Sequence, residues 1–300
     1  MHNNMNIGVI ASDLRQIHMA RQLAEKGYNV FLIYSNIFDT DKNAKNELCH
    51  IIYNEEMNNL NVLCDIDDII ETCDVIAGPV PMDKISEFMV LPKFISLLIE
   101  KSSEKNMIFY AGMIDKDTHE RLSNSGILCI DYMKSEKLTV YNTIATAEGI
   151  IAEAILHKNT NLHGSKTLVL GYGKCGKTLA HKLHALSADV TVCARSEDAL
   201  EVGYSAGLKT LMFDKLNAHI HEYEYIFNTI PTLVLNESMI RNMRADASIF
   251  DIASAPGGVD KNACLKYGIS IIHSLGIPGR YAAKSSGKSL ANHMIKILEK

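Results

Sequence analysis

The stretch VLGYGKCGKTLA, residues 169–180, fits two phosphate-binding motifs at once. Read as Gly171-x-Gly173-x-x-Gly176 it is a dinucleotide fingerprint. Read as Gly171-x-x-x-x-Gly176-Lys177-Thr178 it is a Walker A loop, the triphosphate cradle. The first implies hydride transfer and the second phosphoryl transfer. Both need a strand before the loop and a helix after it, so the flanking sequence suits either. Other features separate them. Gly173 is required only by the dinucleotide motif, where the second glycine lets the backbone approach a pyrophosphate and the third allows close helix–strand packing. That motif also places a ribose-reading residue at the end of the next strand, about 20 residues on. The strand ends there in Cys193-Ala194-Arg195-Ser196. Asp or Glu would suit the ribose hydroxyl of NAD, whereas a planar cation beside a hydroxyl suits the 2′-phosphate of NADP. A Walker loop further needs a carboxylate for magnesium, which only the segment IFD, ending at Asp251, imitates. The preferred reading is a Rossmann unit that binds NADP through Gly171, Gly173, Lys174, Cys175, Gly176, Arg195 and Ser196. Lys177 and Thr178 then become ordinary first-turn helix residues.

Outward from this loop, short apolar runs alternate with helix-length segments. NIGVIAS at 6–12, a helical stretch at 14–26 closed by Gly27, and YNVFLIYS at 28–35 form one βαβ unit. Further strands are expected at 74–80, 107–112 and 126–131, and beyond the glycine loop at 223–231, 247–254 and 268–274. A Pro-rich loop is expected at 79–92, and residues 36–62 are polar and irregular. From Thr143 the sequence reads as a helix leading into the glycine-loop unit, and a last helix is expected over about 282–299. This alternation predicts parallel sheets covered on both faces.

Three hundred residues suffice for two such domains, and 47% hydrophobic with 22% charged residues is the composition of a soluble globular chain. A formal net charge of −5 without a basic block argues against nucleic acid as a partner. The seven cysteines are scattered, with no C-x-x-C, which fits reduced, cytoplasmic usage. Cys175, inside the glycine loop, reads as a small loop filler rather than an activated thiol. The twelve histidines have no zinc spacing, so no metal is implied, and His163 and His273 read as structural. The N-terminus lacks the marks of a signal peptide, and no apolar run approaches the ~20 residues that span a bilayer, so no membrane association is expected.

The segments IASDLRQ, YNTIATAEG, HGSKTLVLGYGKCGKTLA with ARS, FNTIP, FDIASAPGGVD and LGIPGRYAAKSSG, in this order and spacing, resemble the A subunits of the dipicolinate synthase family, enzymes of sporulation. The layout is also similar to the wider class of two-domain amino- and hydroxy-acid dehydrogenases. The resemblance implies an α/β chain of two doubly wound parallel-sheet domains. A flavodoxin-like substrate domain, 1–142 completed by the helix 282–300, is joined by a long helix to a Rossmann NADP-binding domain, 143–281. It implies oxidation of dihydrodipicolinate to dipicolinate with NADP⁺ as acceptor. It also implies a second, B-type subunit that resembles flavin-binding decarboxylases, and a place in the cytoplasm of the sporulating mother cell. A homo-oligomer is expected by fold analogy. The sequence departs from the family pattern at Ala11-Ser12, where Gly-Gly is usual, and at Ala145, Ala255 and Ala283, where Pro, Arg and Pro are expected. The missing Arg at 255 removes one possible substrate cation.

The site residues follow from the resemblance and from where ligands bind in open α/β sheets, beyond the strand carboxyl ends and here in an interdomain cleft. The substrate carries two carboxylates, so cations and hydroxyls are wanted. Arg15 is a candidate bidentate clamp, beside Asp13 and Gln16. Thr143 and Thr146 are expected at a helix N-terminus, which favours an anion. Lys284 and Ser285 are candidates for the second carboxylate, and Ser254 for a further substrate contact. Glu148 and Asp13 are the candidate catalytic groups, with a capping or interdomain contact as the other role for Glu148. Thr229, Ile230 and Pro231 are expected along the cofactor ribose, and Asp251 and Ala253 near the nicotinamide. The competing readings are an amino- or hydroxy-acid dehydrogenase, a nucleotide sensor without chemistry of its own, and a P-loop phosphotransferase.

Overall fold

The computed structural model describes residues 5–35, 45, 46, 48, 49 and 59–299. Most of the polar stretch expected at 36–62 therefore lies outside the described residues. The chain divides into two units, one of residues 1–141 and 282–300 and the other of residues 142–281.

The first unit holds β1 (Asn6–Ala11), α1 (Leu14–Glu25), β2 (Asn29–Tyr34), β3 (Leu60–Val62), α2 (Ile66–Thr72), β4 (Val75–Ala77), α3 (Leu91–Ser102), β5 (Ile108–Ala111), α4 (Lys116–Asn124) and β6 (Leu128–Asp131). Helix α5 (Glu136–His157) starts in this unit and runs on into the second. The second unit continues with β7 (Lys166–Leu170), α6 (Lys174–Ala185), β8 (Asp189–Ala194), α7 (Glu197–Ser205), β9 (Lys209–Met212), β10 (Tyr225–Asn228), β11 (Ser248–Asp251), α8 (Lys261–Tyr267), β12 (Ser270–His273) and α9 (Ile277–Tyr281). Helix α10 (Ala283–Leu298) returns to the first unit.

Among the described residues each unit has one six-stranded sheet, and every pairing between these strands is parallel. The first is ordered β3-β2-β1-β4-β5-β6 and the second β9-β8-β7-β10-β11-β12. Both are the 3-2-1-4-5-6 order of a doubly wound sheet. Without its three-residue edge strand β3, the first keeps the order of a flavodoxin-like sheet.

Alternation along the strands sorts the cores. In β1, Ile7, Val9 and Ala11 face Ile17, Met19 and Leu23 of α1 and Leu290, Ala291, Met294 and Leu298 of α10. Ile10 faces the opposite core, made by α2, α3 and α4 with Ile69, Phe94, Leu98 and Leu122. In the second unit Val169, Val192, Phe227 and Phe250 pack against Ile150 and Ala154 of α5 and Leu179 and Leu183 of α6. Leu168, Leu170, Ile226 and Ile249 pack on the other face against Leu216, Ile240 and Cys264. Burial on both faces is why these strands read as continuous apolar runs.

Two strands escape the sequence pattern, β3 and β9. They hold the same edge position in the two sheets, pair on one side only and are largely exposed or half-buried, so no apolar run marks them. The linking helix also begins earlier than the sequence suggests, at Glu136 rather than Thr143. Its first turns carry the poor helix formers Thr139, Val140 and Asn142, and buried Leu138 anchors them. No helix among the described residues is long and apolar enough to cross a membrane.

Candidate functional site

In the second unit β7 runs into the glycine turn at the point where the strand order reverses. Gly171 has φ +91°, and a side chain there would meet Thr229 Oγ1 at 2.5 Å. At Gly176 a Cβ would lie 2.1 Å from the Gly171 carbonyl oxygen, so turn and helix touch backbone to backbone. Gly173 differs: a Cβ there would meet nothing within 4 Å. It N-caps α6 without a side-chain cap, leaving the first-turn N–H groups for a ligand. A bare helix N-terminus behind a glycine turn is a receptor for a phosphate group.

The Walker residues are engaged elsewhere. Lys177 Nζ sits 5.5 Å from the centroid of the Tyr172 ring. Thr178 Oγ1 hydrogen-bonds Thr143 Oγ1 at 2.8 Å and donates to the Lys174 carbonyl at 3.1 Å. Asp251, the stand-in for a magnesium carboxylate, is fully buried and accepts hydrogen bonds within the fold. Cys175 is half-buried, and desolvation pushes its thiol up from the usual range, the opposite of activation as a thiolate.

Arg195 follows β8, is exposed, and makes no ion pair or side-chain hydrogen bond among the described residues. Ser196 caps α7, accepting from Ala199 N at 3.3 Å. Thr229 is tied to β7, its N and Oγ1 both donating to the Leu170 carbonyl, at 3.0 and 2.8 Å. Ile230 N donates to Asn228 Oδ1 at 3.1 Å, and Pro231 is exposed. Ala253 is buried, and its N–H donates to Asp251 Oδ1 at 3.2 Å. Ser254 is exposed.

One constellation goes beyond the sequence expectations. Asn228, Asp251 and His273 are the last residues of β10, β11 and β12, and they stand in register as one row. Asn228 Nδ2 donates to Asp251 Oδ1 at 2.8 Å. Gly258 N donates to Asp251 Oδ2 at 3.2 Å, and His273 Nδ1 lies 3.3 Å from the same oxygen. The signal in the sequence is three apolar strands, two buried and one half-buried at the sheet edge, each ending in a polar residue. Reading it requires the register.

The helix expected to offer free N–H groups at Thr143 and Thr146 does not begin there. Both lie inside α5, where backbone N–H groups bond within the helix, so the anion site expected at this point is replaced by hydroxyl contacts. Thr143 is buried against Thr178, and Thr146 Oγ1 donates to the Asn142 carbonyl at 2.8 Å. Glu148 is exposed and pairs with Lys182 of α6 at 2.8 Å, a surface contact between two helices of the same unit.

In the first unit Asp13 caps α1. Asp13 Oδ1 accepts from Arg15 N at 2.9 Å, and Gln16 Oε1 accepts from Asp13 N at 3.1 Å. The Arg15 guanidinium folds back on the same carboxylate, Nε to Oδ1 at 3.0 Å and Nη2 to Oδ2 at 2.6 Å. Burial acts to raise the Asp13 carboxyl, but the adjoining Arg15 charge overcomes it and holds the group below its usual value. Burial likewise acts to lower Arg15, and Asp13 outweighs it. The bidentate edge expected to clamp a substrate carboxylate is thus occupied by Asp13. Close by, Ser12 Oγ, Gln16 Nε2 and Tyr132 OH are buried and make no hydrogen bond of ordinary geometry among the described residues, Gln16 and Tyr132 lying within reach of each other. Lys284 is exposed, and Ser285 lines a separate recess of about 600 Å³ with Lys26, Lys137 and Lys288. The described residues contain no cluster of His, Cys, Asp or Glu that could hold a metal.

The glycine turn, the sheet order and the row at the strand ends define the second unit as a dehydrogenase-type Rossmann unit. Residues 151–271 match the shikimate/quinate 5-dehydrogenase family. Along its whole length the chain is similar to the A subunit of dipicolinate synthase. It is 29% identical to that protein of Bacillus subtilis (strain 168) over 305 residues, 99% of this chain and 97% of the relative. The crystal structure of the Bacillus halodurans protein of the same name matches with a TM-score of 0.81 at 25% identity, covering 100% of this chain and 99% of that one. The Bacillus subtilis structure matches with a TM-score of 0.78 at 28% identity, covering 98% and 96%.

Proposed function

We propose that this chain is the dehydrogenase component of a dipicolinate-forming enzyme, oxidising dihydrodipicolinate to dipicolinate with NADP⁺ as acceptor. The observation that carries the reading is the end-to-end similarity to the A subunit of dipicolinate synthase. The bare glycine turn supports it, because it lies in the segment that matches a dehydrogenase family. The domain from 143 to 281 binds the cofactor, and residues 1–142 with 282–300 form the substrate domain.

A bound nicotinamide dinucleotide supplies the hydride acceptor. The chain's own residues do the holding. N–H groups at the start of α6 receive the pyrophosphate, with Gly173 leaving the approach open. Arg195 takes the 2′-phosphate. The loops Thr229–Pro231 and Asp251–Ala253 border the ribose and nicotinamide, with Asp251 acting as the buried brace of its loop rather than as a direct contact. Of the two substrate carboxylates, one suits the donors Ser12, Gln16 and Tyr132 beside the Asp13–Arg15 pair, because an unsatisfied buried donor costs about 1–3 kcal/mol. Aromatisation of the ring makes the reaction downhill, so positioning is the main task of the protein. The chain works with a second subunit that resembles flavin-binding decarboxylases, forms a homo-oligomer and acts in the cytoplasm of the sporulating mother cell.

The test is a titration with NADPH, NADH and ATP–magnesium, followed by nicotinamide fluorescence and calorimetry. NADPH is expected to bind more tightly than NADH, and Arg195→Asp to weaken NADPH more than NADH. Equal loss of both would remove Arg195 from its role. Tight ATP–magnesium binding without NADPH binding would sink the reading. Dihydrodipicolinate generated in situ is expected to give an absorbing pyridine product with NADP⁺, and no product with or without the second subunit would favour a nucleotide sensor.

A further inference from the structure

Asp251 is 0% exposed, and its carboxylate is surrounded by donors. Oδ1 accepts from Asn228 Nδ2 at 2.8 Å and Ala253 N at 3.2 Å, while Oδ2 accepts from Gly258 N at 3.2 Å. The fourth neighbour is His273 Nδ1, 3.3 Å from Oδ2. An ionised carboxylate only accepts hydrogen bonds, so this contact requires the proton to sit on Nδ1. The neutral ring is thereby fixed as the Nδ1–H tautomer, with the lone pair on Nε2.

The ring is held from one side only. Its side chain is 22% exposed, and Nε2 is neither buried nor hydrogen-bonded among the described residues. Gly257, at φ +87°, brings the loop close: a Cβ there would lie 2.9 Å from Asp251 Oδ2 and 3.3 Å from His273 Cε1. The loop therefore packs on the Asp251–His273 contact and keeps it. Asp251 is the charged group in contact with the ring. Glu153 and Arg280 meet at the next residue, Ser274, with Ser274 Oγ donating to Glu153 Oε2 at 2.6 Å and Arg280 Nη2 2.8 Å from Glu153 Oε1. The row sits at the carboxyl ends of the strands, where open α/β sheets bind ligands.

We infer that His273 is the proton acceptor of the reaction and that Asp251 is its positioning residue. The inference rests on the dehydrogenase reading. Oxidation of a dihydropyridine removes one hydride and one proton. The hydride leaves a ring carbon for the oxidised nicotinamide dinucleotide, and the electrons of the remaining bond to hydrogen stay in the ring as it becomes aromatic. The proton passes to His273 Nε2, giving an imidazolium that the Asp251 carboxylate stabilises and that later releases the proton to water. A buried carboxylate, an oriented imidazole and an open second nitrogen are the parts that general base catalysis needs.

Two measurements test it. In protein labelled with ¹⁵N-histidine, the neutral His273 ring is expected to be protonated on Nδ1 and bare on Nε2, its signals identified by their loss in His273→Asn. The opposite tautomer would overturn the inference without any reference to turnover. The second measurement is kcat/KM against pH with dihydrodipicolinate generated in situ. The wild type should lose activity on the acid side, as expected of a reaction that needs a general base. His273→Asn should fall by about 10²–10⁴-fold and lose that acid limb, with NADPH affinity within twofold. Asp251→Asn should lower kcat/KM and loosen the tautomer preference of His273 in the ¹⁵N spectrum; unchanged turnover and tautomer would remove Asp251 from its positioning role, and should the variant fail to fold, the wild-type tautomer decides. Normal NADPH binding with an intact acid limb and near-normal turnover in His273→Asn would overturn the inference alone. A wild type that binds no nicotinamide dinucleotide would overturn the functional reading, and this role with it.

Discussion

The two sheets have the same strand order, yet their first strand-to-helix turns are built in opposite ways. After β1 the turn is closed. Asp13 caps α1, Gln16 returns the cap, and Arg15 folds onto the same carboxylate. After β7 the turn is open. Gly176 brings the helix backbone against that of Gly171, Gly173 leaves the approach open, and α6 begins without a side-chain cap. One turn satisfies its helix N-terminus from within, and the other leaves it for an anion. Topology places a potential phosphate receptor in both units, and the cap decides which unit has one.

The largest effect should come from opening the closed turn. Asp13→Ala removes the cap and leaves a buried guanidinium without its carboxylate, an expected loss of about 3–5 kcal/mol in a urea melt. The pH dependence has a definite sign. Asp13 is held below its unfolded value, so its contribution is present above about pH 4 and is lost as pH falls through the folded value. The variant should have a flatter stability profile across that acid window. An unchanged melt would mean that the first turn is not held shut by this pair.

Next comes crowding of the open turn at its tightest point. Gly176→Ala places a methyl group against the Gly171 carbonyl and should cost about 1–3 kcal/mol of stability, together with nucleotide binding. Gly173→Ala sharpens the contrast, since its methyl group meets no protein atom. Thermal melting should stay where it is while NADPH affinity falls about tenfold, or 1.4 kcal/mol. A shift in melting without a change in affinity would place the ligand elsewhere. The smallest effect is expected for Lys177→Ala, within about 0.5 kcal/mol in stability and within twofold in affinity for NADPH. A collapse of nucleotide affinity there would revive the triphosphate loop.

Much of this fold is legible because its central strands are buried on both faces and therefore spell continuous apolar runs. The edge strands β3 and β9 are not legible, since they pair on one side only and their residues are exposed or half-buried. The site divides in the same way. The glycine turn is local, so residues 171–176 announce it. Arg15 reads as a free clamp because its partner Asp13, two residues away, suits a site residue as well as a cap. His273 reads as structural because its meaning lies in register: Asn228 and Asp251 stand beside it only after β10, β11 and β12 have paired.

Helix α10 has a consequence for how the protein is made. Leu290, Ala291, Met294 and Leu298 belong to the core around β1 and α1, although the whole second unit lies between them in sequence. A ribosome that has finished residue 141 has made every strand of the first sheet, but not a helix that covers one of its faces. The second unit, contiguous from 142 to 281, has its entire sequence before that helix exists. The half of the molecule that is synthesised first is therefore the half whose core is completed last.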